Sequence, residues 1–401
     1  MKRLIRLGVF SACFFGTPTG FAQDYTEFVS TFQQIQSLDS TTRANTWSKL
    51  TDSQQVPFVR HDSVVFFFKG DARSVSWMGD FNGWGYDKKF DNKGKRISST
   101  DIWYLKASFP RDARLDYKIL INDTDWIIDP YNPHQQWSGV GGGSPNSELR
   151  MPEWKEDPVL TPRPEVPKGS VTSDLLFTSK VLGYQITYNV YLPANYASLG
   201  KLPVIYVTDG YEYMHPKMGN MITVLDNLIA DKKIKPVAAV FIDHREPINR
   251  SNNRRMTELA MNPRYAEFIT HEFLPFIEKN YPVETSPNSR AILGTSMGGL
   301  TAAYLAFSQN AQFGMAGIQS PAFWTKPQIY ELCKNPENPT LKVFMSTGTM
   351  NDTFRETEKM KEILSATACQ FEYKQVNEGH SWGNWRNLID EILVSFFGLK
   401  Q

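Results

Sequence analysis

The sequence carries no surplus of charge: 43 Lys and Arg stand against 42 Asp and Glu, a formal balance of +1. Near-neutrality argues against a broad electrostatic grip on nucleic acid or anionic lipid, which needs a basic surplus. Cysteine is scarce, three in 401 residues, so a disulfide framework does not hold the chain together. No stretch approaches the ~18 consecutive apolar residues of a membrane-spanning helix. Internal repeats and low-complexity tracts are missing. No His, Cys and acidic residues fall at metal-ligand spacing, so neither a metal nor an organic cofactor is expected. Apolar and aromatic residues are plentiful, at 41% and 13%, which excludes a disordered chain. At ~150 residues per domain the length suits two or three folding units.

Lys2, Arg3 and Arg6 open the chain, Leu7 to Phe15 is a short apolar run, and Gly20-Phe21-Ala22 offers a small-residue cleavage site before Gln23. That layout predicts a secretory signal peptide over residues 1–22 and a periplasmic or secreted mature protein. Ser11-Ala12-Cys13 hints at lipidation instead, but Phe10 before it and the apolar residues after it speak for simple cleavage. In an oxidising compartment Cys333 and Cys369 are open to pairing or to remaining two thiols, and their spacing decides nothing.

Tyr25, Phe28, Val29, Phe32 and Ile35 fall at helical spacing within an N-terminal segment, 23–60. From Ser63 the period changes to two. Val64–Phe68, Ser74–Met78, Ile102–Phe109 and Arg114–Ile121 read as strands, which predicts a small immunoglobulin-like β-sandwich over 61–150. Residues 151–169 hold five prolines and few apolar residues, the composition of a semi-rigid linker. After it, Leu175–Thr178 and Gln185–Leu192 alternate and read as an antiparallel pair. Five short β-rich runs then alternate with helical segments: Pro203–Thr208, Val237–Ile242, Arg290–Leu293, Leu341–Ser346 and Phe371–Val376. Such alternation predicts an α/β domain with a mainly parallel sheet over 170–401.

The chemistry concentrates at Gly294-Thr295-Ser296-Met297-Gly298. A β-run ends in Gly-x-Ser-x-Gly and a helix-forming run follows at once, the context in which a tight turn lifts a serine hydroxyl clear of a sheet. A Gly-rich helix cap is the plainer alternative. Where this serine is a nucleophile, an acid and then a histidine follow it in the chain. Of six histidines only His380 lies beyond Ser296, and between the two there is a single aspartate, Asp352. Asp352 is the candidate acid, placed to hold the imidazole's tautomer. Its plainer role is the N-cap of a helix starting near Phe354, with Glu356 and Glu378 as the substitutes in that case. An oxyanion hole needs two backbone N–H groups. The amide of Met297 is one, and the loop Asp209-Gly210-Tyr211 supplies the other, at Tyr211.

With these residues in view, 170–398 resembles the esterase family of α/β-hydrolases that holds feruloyl and other carbohydrate esterases, enterochelin esterases and mycolyltransferases. The stretches that carry it are Val207–Gly210, Arg255–Leu259, Gly294–Gly298, Ser320–Trp324 and Gly379–Arg386. Asp209-Gly210 replaces the His-Gly frequent in feruloyl esterases and is nearer the enterochelin esterase pattern. The resemblance implies that Arg255 and Glu258, at i and i+3, stand near the substrate, and the expectation is that they pair with each other. Trp324, Trp382 and Trp385 are candidate walls for an aromatic acyl group, with core packing as the plainer role. Residues 75–84, 115–119 and 126–130 resemble an isoamylase-type carbohydrate-binding module. The Gly-rich stretch from His134 to Gly143 reads as an excursion that reaches toward the catalytic cleft.

The expectation is an exported serine carboxylic-ester hydrolase acting on aryl esters of carbohydrates, with polysaccharide as a partner of the N-terminal module. Alternatives are a catechol siderophore trilactone esterase, an acyltransferase of the same family, and a non-catalytic carbohydrate-binding protein.

Overall fold

The computed structural model describes residues 34–35, 37–53, 56–139, 144–309, 312–334 and 340–399. The signal-peptide reading, most of the helix read at 25–38 and the tip of the Gly-rich stretch lie outside them.

Near the start of the described residues stands a helix, Ser40–Ser53, that periodicity did not indicate. Two antiparallel sheets follow. One has four strands, in the order Phe58–Arg60, Ser63–Lys69, Ile102–Ser108, Lys95–Arg96. The other has five and centres on Arg114–Ile121, flanked by Val75–Gly79 and Pro145–Arg150. The run Val64–Phe68 is continuously apolar because its strand is covered on both faces. Val64, Phe66 and Phe68 meet Trp77, Leu115 and Tyr117 between the sheets, while Val65 and Phe67 meet Trp47 on the outside. Burying such a Phe or Val is worth ~1.5–3 kcal/mol each. Part of the Gly-rich excursion is itself a strand: Gln135–Trp137 pairs with Pro145–Arg150. Two glutamines and a tryptophan are too short and polar a run to show β periodicity.

The C-terminal region is built on a nine-stranded sheet. Six strands run parallel in the order Ala238–Asp243, Val204–Val207, Arg290–Thr295, Met315–Gln319, Lys342–Gly348, Gln370–Val376. Gln185–Leu192 joins them antiparallel. Alternate residues of one strand serve two cores: Val204 and Tyr206 belong to one apolar cluster, Ile205 and Val207 to the other. Helices Met297–Ser308 and Phe354–Ser365 cover the first face, and Met221–Ala230 and Ile389–Phe397 the second. Loops at the carboxyl ends of the parallel strands carry Asp209, Ser296, Ser320, Asp352 and His380, where open α/β sheets leave a crevice for ligands.

The proline-rich stretch lies against this region as a strap. Asn220 donates to the Leu160 carbonyl at 2.7 Å, and Asn227 to those of Val159 and Thr161 at 2.8 and 2.9 Å. Cys333 and Cys369 are both free thiols.

Candidate active site

The strand Arg290–Thr295 ends and the helix Met297–Ser308 begins with one residue between them, Ser296. Its φ of 57° and ψ of −114° are strained for a residue with a Cβ, and such strain persists only where the surroundings impose it. They do so here. A Cβ on Gly298 would lie 2.3 Å from Thr208 Oγ1, so only glycine lets helix and neighbouring strand approach this closely.

The Ser296 hydroxyl is 3.0 Å from His380 Nε2, and His380 Nδ1 is 2.6 Å from Asp352 Oδ1. A carboxylate only accepts, so Nδ1 carries the ring proton and Nε2 is left as the acceptor facing the serine. Asp352 is not the cap of the helix Phe354–Ser365, whose N-cap is Thr353. Its second oxygen accepts from the Gly348 amide at 2.5 Å and the Ser320 hydroxyl at 2.6 Å. Ser320 in turn accepts from Trp385 Nε1 at 2.9 Å. This serine was not singled out from the sequence. A hydroxyl that serves one carboxylate leaves no spacing signal.

Tyr211 and Met297 both lie in the first turn of a helix, where backbone N–H groups have no intrahelical acceptor. Among the described residues no other acceptor takes either amide. Gly210 is needed for the first of these turns, because a Cβ there would fall 2.6 Å from the Phe241 carbonyl carbon. Asp209, which precedes it, adopts φ 54°.

Arg255 and Glu258 do not pair with each other. Arg255 donates to both oxygens of Asp209, at 2.6 and 3.0 Å, and to the Thr295 carbonyl at 3.0 Å. Glu258 is buried beneath the site, where it accepts from the Tyr184 hydroxyl at 2.8 Å and lies 2.5 Å from His244 Nδ1. One helical turn separates the two side chains, but a buried charge goes to whichever partner desolvates with it. Arg255 lines the cleft and Glu258 does not.

The cleft beside Ser296 has a volume of about 700 Å³, with Tyr211, Arg245, Arg250, Arg255 and Trp385 in its walls. Trp385 packs edge-on to His380 at 4.9 Å. Trp382 is 2% exposed, touches the cleft, and chiefly packs in the core against Tyr213 and Trp385. Its Nε1 donates to Glu212 Oε2 at 2.6 Å. Burial first, and then the charge of Asp209, push the Glu212 carboxyl up to about 7. Trp324, 53% exposed, stands 6.4 Å from His380 and outside the cleft lining.

A second cavity of about 430 Å³, which shares His380 and Ser381 with the first, opens at the seam with the N-terminal β region. Trp84 and Trp126 line it, their rings 6.5 Å apart and 30° from parallel, together with Lys118, Asp80, Asp116 and Asn146. Trp84, Asp80 and Trp126 belong to the stretches that resembled a carbohydrate-binding module. Nothing in one dimension places them beside His380. Among the described residues no group of three or more His, Cys, Asp or Glu is placed to hold a metal ion. No described helix is long and apolar enough to cross a membrane.

A strained serine between strand and helix, its hydroxyl facing an imidazole backed by a carboxylate, sits where the parallel strands of an α/β-hydrolase end. Residues 179–396, more than half of the chain, match the Putative esterase family, and the chain belongs to it. It is a carboxylic ester hydrolase. The endo-1,4-beta-xylanase/feruloyl esterase of Xylanibacter ruminicola is 26% identical over 314 residues, which span 75% of this chain and 41% of that protein. The iron(III) enterobactin esterase of Escherichia coli K12 is also 26% identical, over 338 residues, or 76% of this chain and 81% of that one. The crystal structure of the enterobactin esterase from Shigella flexneri in the presence of enterobactin superposes with a TM-score of 0.68 at 21% identity, covering 83% of this chain and 92% of that one. That last likeness is one of fold.

Proposed function

We propose that the protein is an exported serine esterase that cleaves aryl esters of carbohydrates by way of an acyl-enzyme. The observation that carries this reading is the run of contacts from Ser296 Oγ to His380 at 3.0 Å and from His380 to Asp352 at 2.6 Å. Ser296 attacks the ester carbonyl as His380 Nε2 takes its proton, and Asp352 holds the imidazole's tautomer and stabilises the imidazolium. The tetrahedral oxyanion lies on the amides of Met297 and Tyr211, at helix N-termini whose dipoles favour negative charge. His380 returns its proton to the leaving alkoxide. Water activated by the same imidazole then releases the acid and restores Ser296.

The aryl acyl group fits the cleft bounded by Tyr211 and Trp385. The alcohol side fits the seam cavity, because the leaving oxygen must face His380 and that cavity opens there. Two indoles with Lys118, Asp80 and Asn146 offer ring faces for sugar C–H groups and polar partners for hydroxyls. On this reading the paired antiparallel sheets of the N-terminal region form an immunoglobulin-like, carbohydrate-binding-type module. The placement outside the cytoplasm rests on the signal-peptide layout of residues 1–22.

A catechol siderophore trilactone is the second reading. The likeness to the enterobactin esterases supports it, since it extends over 76% of the chain and so beyond the hydrolase region. Charge weighs against it. Arg245 pairs with Asp243, Arg250 with both Asp243 and Asp174, and Arg255 with Asp209, so the three cleft guanidiniums already face three carboxylates before a multiply anionic ferric catecholate arrives. Methyl ferulate, a feruloylated oligosaccharide and iron-loaded enterobactin, assayed side by side, test the choice. The oligosaccharide should give the highest kcat/KM, and a roughly tenfold preference for the siderophore would reverse the order.

A further inference from the structure

We infer that Arg114, a residue of the N-terminal β region, is a positioning residue for His380; this rests on the role given to His380 above. Arg114 is fully buried at the seam between the two regions. Its Nε donates to Glu148 Oε1 at 2.7 Å, Nη2 pairs with Asp116, and Nη1 donates at 3.0 Å to the hydroxyl of Ser381, the residue after His380. Glu378 Oε2 lies 3.7 Å away. The Arg114 backbone amide donates to the Asn377 carbonyl at 3.3 Å, which adds a parallel bridge to the start of the histidine loop.

The loop is shaped to receive these groups. A Cβ on Gly383 would fall 1.8 Å from Arg114 Cζ, so the guanidinium lies flat against the first turn after His380. On the other side, a Cβ on Gly379 would fall 2.1 Å from Asp80 Cγ, and the Asp80 carbonyl accepts from Asn351, next to Asp352, at 3.0 Å. The hydrolase region alone therefore does not define where His380 stands. A planar fork with three nitrogens on three different elements sets the loop in a way that the point charge of a lysine cannot reproduce. A misplacement of about 1 Å at a reacting group costs on the order of a hundredfold in rate.

The test uses the whole chain and a chromogenic acetate small enough to ignore the seam cavity. Arg114→Lys should lower kcat by roughly 10–100-fold with KM changed less than about threefold. Ser381→Ala removes the acceptor but leaves the Arg114 carboxylate partners in place. It should lower kcat about tenfold with an unaltered thermal transition, and it decides the matter if Arg114→Lys does not fold. The double variant should be no slower than Arg114→Lys, because both changes break one contact. Wild-type kcat in Ser381→Ala, or strict additivity of the two losses, overturns the inference. Ser296→Ala, measured alongside, separates the two levels: its inactivity leaves the proposed chemistry standing whatever Arg114 does, and its retained activity removes both.

Discussion

Arg255 grips Asp209 with two nearly parallel hydrogen bonds, at 2.6 and 3.0 Å, and uses a nitrogen of the same fork on the carbonyl of Thr295, the residue before Ser296. One guanidinium thus ties the turn that presents the Tyr211 amide to the strand end that presents the nucleophile. Burial works against its charge, but Asp209, with Glu212 and Tyr213 behind it, outweighs that cost and raises the Arg255 pKa. Arg255→Lys keeps a charge and loses the fork. We expect kcat to fall by roughly tenfold, with a smaller change in KM, because the oxyanion donors matter most in the transition state. Steady-state kinetics on a chromogenic ester decide it, and an unchanged kcat would detach Arg255 from the site.

Asp352→Asn isolates the orienting role. Asparagine fits the same space and can still accept from Ser320, yet its amide can donate to Nδ1 and so leave the proton on Nε2, the wrong nitrogen. Turnover should drop by ~10³–10⁴-fold while the thermal transition stays within a few degrees. A loss below about tenfold would assign the tautomer to some other group.

Glu212 sets a pH dependence of stability. Its folded pKa is raised from 4.5 to about 7, so the native state holds a proton that the unfolded chain releases. The folded form is therefore unpenalised below pH 4.5, loses stability as pH rises from there to about 7, and loses no more above that. Glu212→Gln can still accept from Trp382 Nε1 and has nothing to ionise. Its thermal midpoint should match wild type near pH 4 and exceed it near pH 8. Equal midpoints at both values would show that Glu212 does not titrate in this range.

Gly210→Ala places a methyl 2.6 Å from the Phe241 carbonyl carbon, which belongs to a central strand and cannot yield. We expect a destabilisation of ~1–3 kcal/mol together with a lower kcat, since the shifted backbone carries the Tyr211 amide. Chemical denaturation and kinetics on the same preparation should move together. A stable variant with normal turnover would place the second oxyanion donor elsewhere.

Four of the six parallel strands were legible because burial on both faces makes a short apolar run. The edge strand Gln370–Val376 was read from its alternation, and Met315–Gln319 was missed because Ala316 and Gly317 give it little β character. Ser296 stood out because its turn needs small residues at fixed offsets. Chain order then left a single histidine and a single aspartate to consider. Glu258 misled for the opposite reason. Its spacing from Arg255 suggested a pair, but Glu258 is buried while Arg255 reaches into the cleft, and each took the partner that folding brought from a distant element. The strand Gln135–Trp137 and the helix Ser40–Ser53 were missed because polar runs show no apolar period, even where the fold binds them.

The sequence by itself determined the alternation of strands and helices, the strained turn at Ser296 and the short list of residues able to act with it, since these follow from local sterics and the period of burial. Only the tertiary structure decided that Arg255 belongs to Asp209, that Ser320 supports Asp352, and that Trp84, Trp126 and Arg114 stand beside His380. Those contacts join residues tens to hundreds of positions apart, and which side chain meets which is set by packing within the hydrolase region and between it and the N-terminal one, a relation that no local pattern encodes.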